Sequence, residues 1–140
     1  MNLKGLRVYI DTNVAIYCLE RLTDFPNLKS GLIEALDAAS LIGVTSELTL
    51  LETLVGPRKV NDLAGEAAFR KFLAPSARMV VRPVDSQVIE RAIDLRLVGL
   101  RTPDAIHVAT AILEKCDVLL TRDLDWARSG IRVVDPIDIS

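Results

Sequence analysis

The chain has 140 residues, 50% hydrophobic and 26% charged, which is the composition of one soluble globular domain with a substantial core. Its formal net charge of −2 argues against the broad basic surface of a sequence-independent nucleic-acid binder, although bound cations could reverse a local acidic potential. No uncharged stretch reaches the ~18–20 residues of a membrane span, and the N-terminus lacks the apolar run of a signal peptide, so we expect a cytoplasmic protein with no membrane partner.

The only two cysteines, Cys18 and Cys116, lie in apolar helical patterns and lack the spacing of a metal site. They are predicted to be reduced thiols in the core of a cytoplasmic protein. Aromatic residues make up only 4% of the chain, so the core must be aliphatic, and aromatic platforms for stacking single-stranded bases must be scarce.

Apolar runs and helical spacing alternate along the chain, separated by helix start and stop signals. Ser46 is a good N-cap for the helix that follows the second strand, and Gly56-Pro57 predicts the end of that helix. Thr102-Pro103-Asp104 predicts another helix start, with Thr102 as the N-cap. The predicted elements in chain order are a strand at Leu6–Asp11, helices at about Thr12–Leu22 and Leu28–Ser40, a strand at Leu41–Thr45, helices at Leu48–Val55 and Asn61–Leu73, a strand at Arg78–Arg82, helices at Ser86–Val98 and Thr102–Lys115, and strands at Val118–Thr121 and Ile131–Val134.

The predicted strands are continuous apolar runs rather than alternating ones, which indicates a parallel sheet covered by helices on both faces. We therefore predict an α/β fold in a single domain that spans residues 1–140. In such a sheet, ligand sites form in the crevice at the carboxyl ends of the strands. Asp11 ends the first strand and Asp123 follows the fourth, so both carboxylates are predicted to lie at that edge.

Two further acids could face the same edge from helices. Glu52 lies midway along the helix after the second strand, and Asp104 lies in the first turn of its helix. Three of the four acids also have purely structural interpretations, with Asp11 as a helix N-cap, Asp104 favoured by the helix dipole and Asp123 opening a turn. Glu52 is the exception, because a carboxylate on a largely apolar helix needs a cation or hydrogen-bond donors to offset its desolvation. Together, the four favour a functional site.

Four segments in order then carry a family resemblance. They are Asp11-Thr12-Asn13 after the first strand, Ser46 to Glu52, Asp104 to Ala111, and Leu120 to Trp126. By these segments the chain resembles a PIN-domain ribonuclease over nearly its whole length, most closely the VapC-like toxins of VapBC toxin–antitoxin modules. The resemblance implies an α/β/α sandwich with a central, mainly parallel sheet of four to five strands. Trp126 stands where the family more often has Phe, and Gly56–Gly65 is less family-like.

The resemblance also implies roles for individual residues. The metal-binding and catalytic quartet would be Asp11, Glu52, Asp104 and Asp123. Polar residues that support the quartet would be Thr12, Asn13 and Thr121, with Asp125 as a further supporting or substitute ligand. The candidate contacts to RNA phosphates are Arg101, Arg122, Arg58 and Lys59. His107 lies one turn after Asp104, where it could approach the site or simply pack the helix.

The chemistry expected of this site is metal-assisted hydrolysis of RNA phosphodiester bonds. Carboxylate oxygens suit Mg²⁺, with Mn²⁺ as a substitute, and the scarcity of cysteine and histidine disfavours zinc. The chain has no glycine-rich phosphate-binding motif, so no nucleotide cofactor is expected. The resemblance further implies products with 5′-phosphate and 3′-hydroxyl ends, an antitoxin that holds the enzyme inactive, and a homodimer.

Two alternatives stay open. One is a non-catalytic PIN-like interaction module, although degenerate members usually lose acids of the quartet and all four are present here. The other is a PIN nuclease that works outside a toxin–antitoxin pair. The apolar faces of the helices at Val14–Leu22 and Leu48–Val55 could receive an antitoxin segment, or they could belong to the core.

Overall fold

The computed structural model describes residues 1–140 and contains five strands and six α-helices. The strands are β1 (Arg7–Ile10), β2 (Ile42–Ser46), β3 (Met79–Arg82), β4 (Val118–Leu120) and β5 (Arg132–Val134). The helices are α1 (Thr12–Glu20), α2 (Glu34–Asp37), α3 (Glu47–Lys59), α4 (Leu63–Phe72), α5 (Ser86–Leu97) and α6 (Thr102–Leu113). A π-helical turn at Lys29–Ile33 precedes α2, and 3₁₀ turns lie at Leu124–Ser129 and Pro136–Asp138. None of the helices is both long enough and apolar enough to span a bilayer.

All five strands pair in parallel in one sheet, in the order β3-β2-β1-β4-β5. The predicted α/β fold with a parallel central sheet is thereby confirmed. Strand β1 is central, and its Val8 pairs with Gly43 of β2 on one side and with Val118 of β4 on the other. Strands β2 and β3 are added on one side of β1, and strands β4 and β5 are then added on its other side. The strand order therefore switches between β1 and β4, where a crevice opens at the carboxyl ends of a parallel sheet.

Two apolar layers cover the sheet, because successive residues of each strand point to opposite faces. Val8 and Ile10 of β1 pack on one face in a cluster that includes Val14 of α1. Tyr9, between them in sequence, points to the other face and packs in a cluster with Val108 of α6. Helices on both faces make the α/β/α sandwich that the sequence analysis predicted. Packing against these two apolar layers holds β1 and β4 in place, and with them the positions at which both strands end.

The predicted end of α3 at Gly56-Pro57 was wrong, because the helix continues to Lys59. Pro57 lies in the last turn and its ring is buried, so its missing N–H removes one helical hydrogen bond near the end of the helix rather than in its middle. The predicted helix Leu28–Ser40 is instead a π-helical turn followed by the short α2. Gly31 in that turn lies so close to the C-terminal segment that a Cβ there would be 2.9 Å from the Ile139 side chain.

The start of α6 also differs from the prediction. Thr102 is the first helical residue rather than the N-cap, and Arg101 precedes the helix in an extended conformation without a side-chain capping bond. Ser46, in contrast, caps α3 as predicted, because its hydroxyl accepts a hydrogen bond from the Leu48 amide at 3.0 Å. Each of these two helices carries one of the four predicted site acids, Glu52 on α3 and Asp104 on α6.

Candidate active site

A cavity of about 530 Å³ opens at the switch point of the sheet and brings the four predicted acids together. Asp11 comes from the end of β1, Glu52 from α3, Asp104 from the first turn of α6, and Asp123 from the segment after β4. The cavity is lined almost entirely by polar side chains, which are Asp11, Thr12, Asn13, Glu52, Asp104, His107, Arg122 and Asp123, with Ile16 as the one apolar residue.

Asp11 is the most buried of the four acids, with 8% of its surface exposed. The Thr121 hydroxyl donates a hydrogen bond to its Oδ2 at 2.6 Å. Its side chain makes no capping bond to α1, so the N-cap interpretation does not account for the carboxylate. Burial raises the pKa of Asp11, the Thr121 hydrogen bond opposes that rise, and the charge of Asp104 adds to it. A buried carboxylate with one protein donor is well suited to a cation.

Thr121 connects the two strand-end acids. Its hydroxyl donates to Asp11 and accepts a hydrogen bond from the Asp123 amide at 3.1 Å. Asp123 in turn accepts from the Asp125 amide at 3.0 Å through Oδ1, so it does open a turn as the structural interpretation supposed. The same residue also lines the cavity, and the two roles therefore coexist.

Glu52 has the donors that its position on α3 requires. Its Oε1 accepts from the Thr12 hydroxyl at 2.7 Å and lies 2.6 Å from Nε2 of His107. The His107 hydrogen bond is the main reason that the pKa of Glu52 is lowered, and Thr12 lowers it further against the effect of burial. Glu52 is therefore held ionised and oriented by two side chains of neighbouring elements.

Asp104 is partly buried beside the Trp126 indole and Asp123. Burial raises the pKa of Asp104; Trp126 lowers it, and the charge of Asp123 raises it again. The Trp126 Nε1 nevertheless has no hydrogen-bond partner of normal geometry, although only 1% of the side chain is exposed. A buried indole N–H that has no partner costs free energy. Trp126 Nε1–H is therefore an available donor for the neighbouring Asp104 carboxylate.

The donor set fits a hard divalent cation, because every acid offers carboxylate oxygens and both cysteines are buried in the core. Burial is the main reason that the pKa values of Asp11 and Asp104 are raised, and repulsion from a neighbouring carboxylate adds to each rise; a bound cation would relieve both costs. As the side chains are placed here, no three of the acidic, histidine or cysteine side chains lie close enough to hold one ion.

The other predicted residues divide by distance from the cavity. Thr12, Asn13 and Arg122 line it, and Arg101 flanks Asp104 closely enough to oppose the rise in its pKa. Arg122 is half exposed, pairs with Asp135 at 3.3 Å and lies over the Phe25 ring at 5.5 Å. Arg101 and Thr121 do not line the cavity, although each lies beside one of the acids. The predicted residues that lie outside the lining and contact none of the four acids are Arg58, which pairs with Glu66, and Lys59 at the end of α3; Asp125, also outside it, pairs with Arg128.

Sequence reasoning left the role of His107 open and missed Ile16. His107 both packs and approaches the site, because its ring stacks on Trp126 and its Nε2 reaches Glu52. No periodic signal could separate these roles, since six of the residues of α6 are buried, on several faces of the helix. Ile16 lies one turn beyond Thr12 on α1 and lines the cavity wall. Its spacing from Thr12 was the available signal.

In the metal-free protein, Asp11 and Asp104 are expected to add stability as the pH falls toward their ordinary pKa. The pKa values of Asp11 and Asp104 lie above the ordinary 3.8 in the folded state, so folding takes up protons between that value and the raised ones. Unfolding then releases protons, and the free energy of unfolding rises as the pH falls through this window. Glu52 acts oppositely below its ordinary 4.5, because its pKa is lowered on folding. Urea unfolding in chelator at several pH values measures this.

Asp11→Asn provides the control for that prediction. The asparagine keeps the shape of the side chain and removes its titration, so the pH dependence is expected to flatten. A metal-free wild type whose stability varied with pH in the same way as that of Asp11→Asn would contradict the assignment of buried, mutually repelling acids.

Comparison with known proteins agrees with the geometry. A family model described as PIN domain matches residues 8–131. Among curated proteins no matching sequence was found. Of the solved structures, the toxin–antitoxin complex from Klebsiella pneumoniae contains a chain 30% identical to this one, covering 94% of this chain and 99% of that chain at a TM-score of 0.69.

Two more distant solved structures share the fold. The DNA-bound VapBC from Salmonella typhimurium contains a chain 20% identical, covering 94% of this chain and 98% of that chain at a TM-score of 0.74. VapBC2 from Rickettsia felis, bound to a DNA fragment from its promoter, contains one 16% identical, covering 93% and 98% at a TM-score of 0.66. At these identities the likeness concerns the fold alone.

Proposed function

Because the chain belongs to the PIN domain family, we propose that it is a metal-dependent endoribonuclease that hydrolyses RNA phosphodiester bonds and is the toxin of a type II toxin–antitoxin pair. One observation carries the nuclease proposal: four carboxylates from four separate elements line a single cavity at the switch point of the sheet. The toxin proposal is supported by the 30% identity to a chain of the Klebsiella pneumoniae toxin–antitoxin complex.

In the proposed mechanism Asp11, Glu52, Asp104 and Asp123 hold Mg²⁺ or Mn²⁺. When bound, such an ion supplies Lewis-acid stabilisation of developing charge and lowers the pKa of a water molecule. Thr121 fixes Oδ2 of Asp11, so that this carboxylate keeps one orientation at the end of β1. Water adds to phosphorus and the P–O3′ bond breaks, which leaves a 5′-phosphate and a 3′-hydroxyl end.

Cleavage of RNA with Mg²⁺ or Mn²⁺, compared with the same protein in EDTA, tests the proposal directly. We expect cleavage that requires the metal and products that carry 5′-phosphates. The RNA panel should include single-stranded and hairpin-loop substrates. Failure to cleave any of them with either metal would favour the alternative of a non-catalytic interaction module.

Exposed apolar surface on α3 supports an antitoxin partner. The α1 face expected as a possible docking surface belongs to the core, since Val14 and Cys18 are buried. On α3, in contrast, Leu51 is 63% exposed and Val55 is 54% exposed. Exposed apolar side chains in a neighbouring pair mark a candidate partner surface. Growth arrest on expression, relieved by the product of a short adjacent reading frame, tests the pairing, and growth unaffected by expression would favour a nuclease outside such a pair.

Reversing the charge at the cavity rim is expected to weaken RNA binding. Arg101 and Arg122 flank Asp104 and Asp123, where a phosphate entering the cavity would pass. Changing both to Glu should raise KM about tenfold or more and reduce the slope of log affinity against log salt by about 2, since each lost phosphate contact removes roughly one unit. Filter binding and cleavage at several salt concentrations measure both effects.

The matched control is the double variant Arg58→Glu and Lys59→Glu, which makes the same charge change at the end of α3, away from the cavity. We expect it to leave the salt slope nearly unchanged. If this control weakened binding as much as the rim variant, the phosphate path would run along α3 instead.

A further inference from the structure

We propose that His107 is a positioning residue, which is itself fixed by Tyr9 and which holds the Glu52 carboxylate in one orientation in the cavity. The consequence of this arrangement, which is that Glu52 is presented to a metal ion, rests on the proposed function. Its geometry stands independently, on hydrogen bonds that run from two buried side chains to the partly exposed Glu52.

The three side chains form a continuous hydrogen-bonded chain from the sheet to the cavity. The Tyr9 hydroxyl lies 2.6 Å from Nδ1 of His107, and Nε2 of the same ring lies 2.6 Å from Oε1 of Glu52. Tyr9 is fully buried, and His107 is 2% exposed. The Tyr9–His107 contact is therefore shielded from water, where hydrogen bonds are strongest and an unmade bond costs most, whereas the contact to Glu52 lies at the boundary between core and cavity.

The direction of each hydrogen bond follows from the carboxylate. An ionised carboxylate oxygen can only accept, so the proton between His107 and Glu52 is carried on Nε2. A neutral imidazole protonated on Nε2 accepts at Nδ1, where the Tyr9 hydroxyl is the donor. The order of donation is thus Tyr9 to His107 to Glu52.

Aromatic packing leaves the imidazole ring little freedom to turn. The His107 ring stacks on Trp126 with centroids 5.7 Å apart and an interplanar angle of 24°. Tyr9 meets the same ring edge-on at 5.9 Å. Because χ rotation of His107 would break both contacts, the position of Nε2 is set by the core rather than by Glu52.

As a consequence, the two carboxylate oxygens of Glu52 have different partners. Oε1 receives both protein donors, from His107 and from the Thr12 hydroxyl at 2.7 Å. Oε2 is thereby left for a ligand in the cavity. Tyr9 belongs to β1, the strand that Asp11 directly follows, and His107 lies three residues after Asp104 on α6. One chain of contacts thus ties Glu52 of α3 to the elements that carry two other acids.

Nitrogen NMR of the imidazole tests the geometry without any catalytic assay. The chain has one histidine, so protein with ¹⁵N-labelled histidine and no affinity tag gives signals from His107 alone. We expect a protonated Nε2 and an unprotonated Nδ1 near neutral pH, with Nδ1 shifted by Tyr9→Phe. A ring protonated on Nδ1, or one exchanging freely between tautomers in the wild type, would overturn the proposal.

Binding of Mn²⁺ tests the consequence for the cavity. His107→Leu fills the space but donates nothing, whereas His107→Gln retains an amide that can donate to Glu52. We expect the Leu variant to weaken Mn²⁺ binding about 10–100-fold, as for other partners that orient metal ligands, and the Gln variant to recover most of that loss. Calorimetric titration measures the affinities, and thermal unfolding verifies that each variant is folded.

Tyr9→Phe is the milder second variant in case His107→Leu fails to fold. It should weaken Mn²⁺ binding by a smaller factor while keeping the ring packing. Equal Mn²⁺ affinity in folded wild type, Tyr9→Phe and His107→Leu would sink the positioning role. A wild type that binds no Mn²⁺ but shows the expected tautomer would instead contradict the proposed metal chemistry, so the two failures are distinguishable.

Discussion

Asp11→Asn and Asp104→Asn are each expected to lower the rate of RNA cleavage at least about 1,000-fold, on the order of 4 kcal/mol of transition-state stabilisation. Each change removes a negative charge from the cavity and preserves the shape of the side chain. The Thr121 hydroxyl can still donate to the amide oxygen of an asparagine at position 11, so the local structure has no reason to collapse. Initial rates with saturating Mg²⁺ measure the loss.

Folding and charge controls make this prediction specific. Asp125→Asn makes the same change on an exposed side chain that pairs with Arg128 and does not line the cavity, and it should leave cleavage within a few-fold of wild type. Asp11→Asn is expected to be no less stable than wild type in chelator, because burial disfavours the charged carboxylate that it replaces. Cleavage by both site variants at the wild-type rate would remove these acids from the mechanism.

The acids of the site were foreseeable to different degrees. Asp11 and Asp123 follow strands, and parallel strands that end at one edge bring their following residues together. Glu52 and Asp104 could be linked to them only through the family resemblance, because nothing local shows which face of a helix meets the sheet edge. The cavity lining now contains all four residues. That they bind metal stays a prediction.

The fold class could be predicted from the sequence, but the order of the strands in the sheet could not. Continuous apolar runs indicate a parallel sheet, yet the order β3-β2-β1-β4-β5 depends on pairings between segments far apart in sequence. Local signals failed at Pro57, which lies within the last turn of α3, and at Gly31, where the backbone is π-helical and the Ile139 side chain packs closely. At both places, burial against other parts of the chain accompanies the departure from the local preference.

His107 shows what a pattern of residue types leaves out. A histidine on a helix whose residues are buried on several faces has no amphipathic signal to indicate its direction. Its partners are Tyr9, 98 residues earlier, and Glu52, 55 residues earlier, so only the folded arrangement reveals the contact. The same holds for the hydroxyl of Thr121, which reaches back to Asp11 across 110 residues.

Trp126→Ala is expected to lower the free energy of unfolding by about 3–5 kcal/mol, the usual cost of removing a large buried aromatic side chain. Trp126 is 1% exposed and contacts Tyr9 and His107, with ring centroids 6.0 and 5.7 Å away. Trp126→Phe keeps an aromatic ring and should cost about 1–2 kcal/mol, since a smaller cavity is left. Urea unfolding at fixed pH measures both losses.

The phenylalanine variant also separates packing from the polar contact with Asp104. It removes the indole N–H that opposes the rise in the Asp104 pKa while it preserves an apolar aromatic ring at this position. Mn²⁺ affinity is therefore expected to fall by up to about tenfold in Trp126→Phe, a loss that packing alone would not produce. A double-mutant cycle with Asp104→Asn isolates the pair, because the N–H has no carboxylate to orient once Asp104 is neutral. Additive effects in that cycle would show that Trp126 serves the core alone, whereas coupling between the two changes would make the indole part of the metal site.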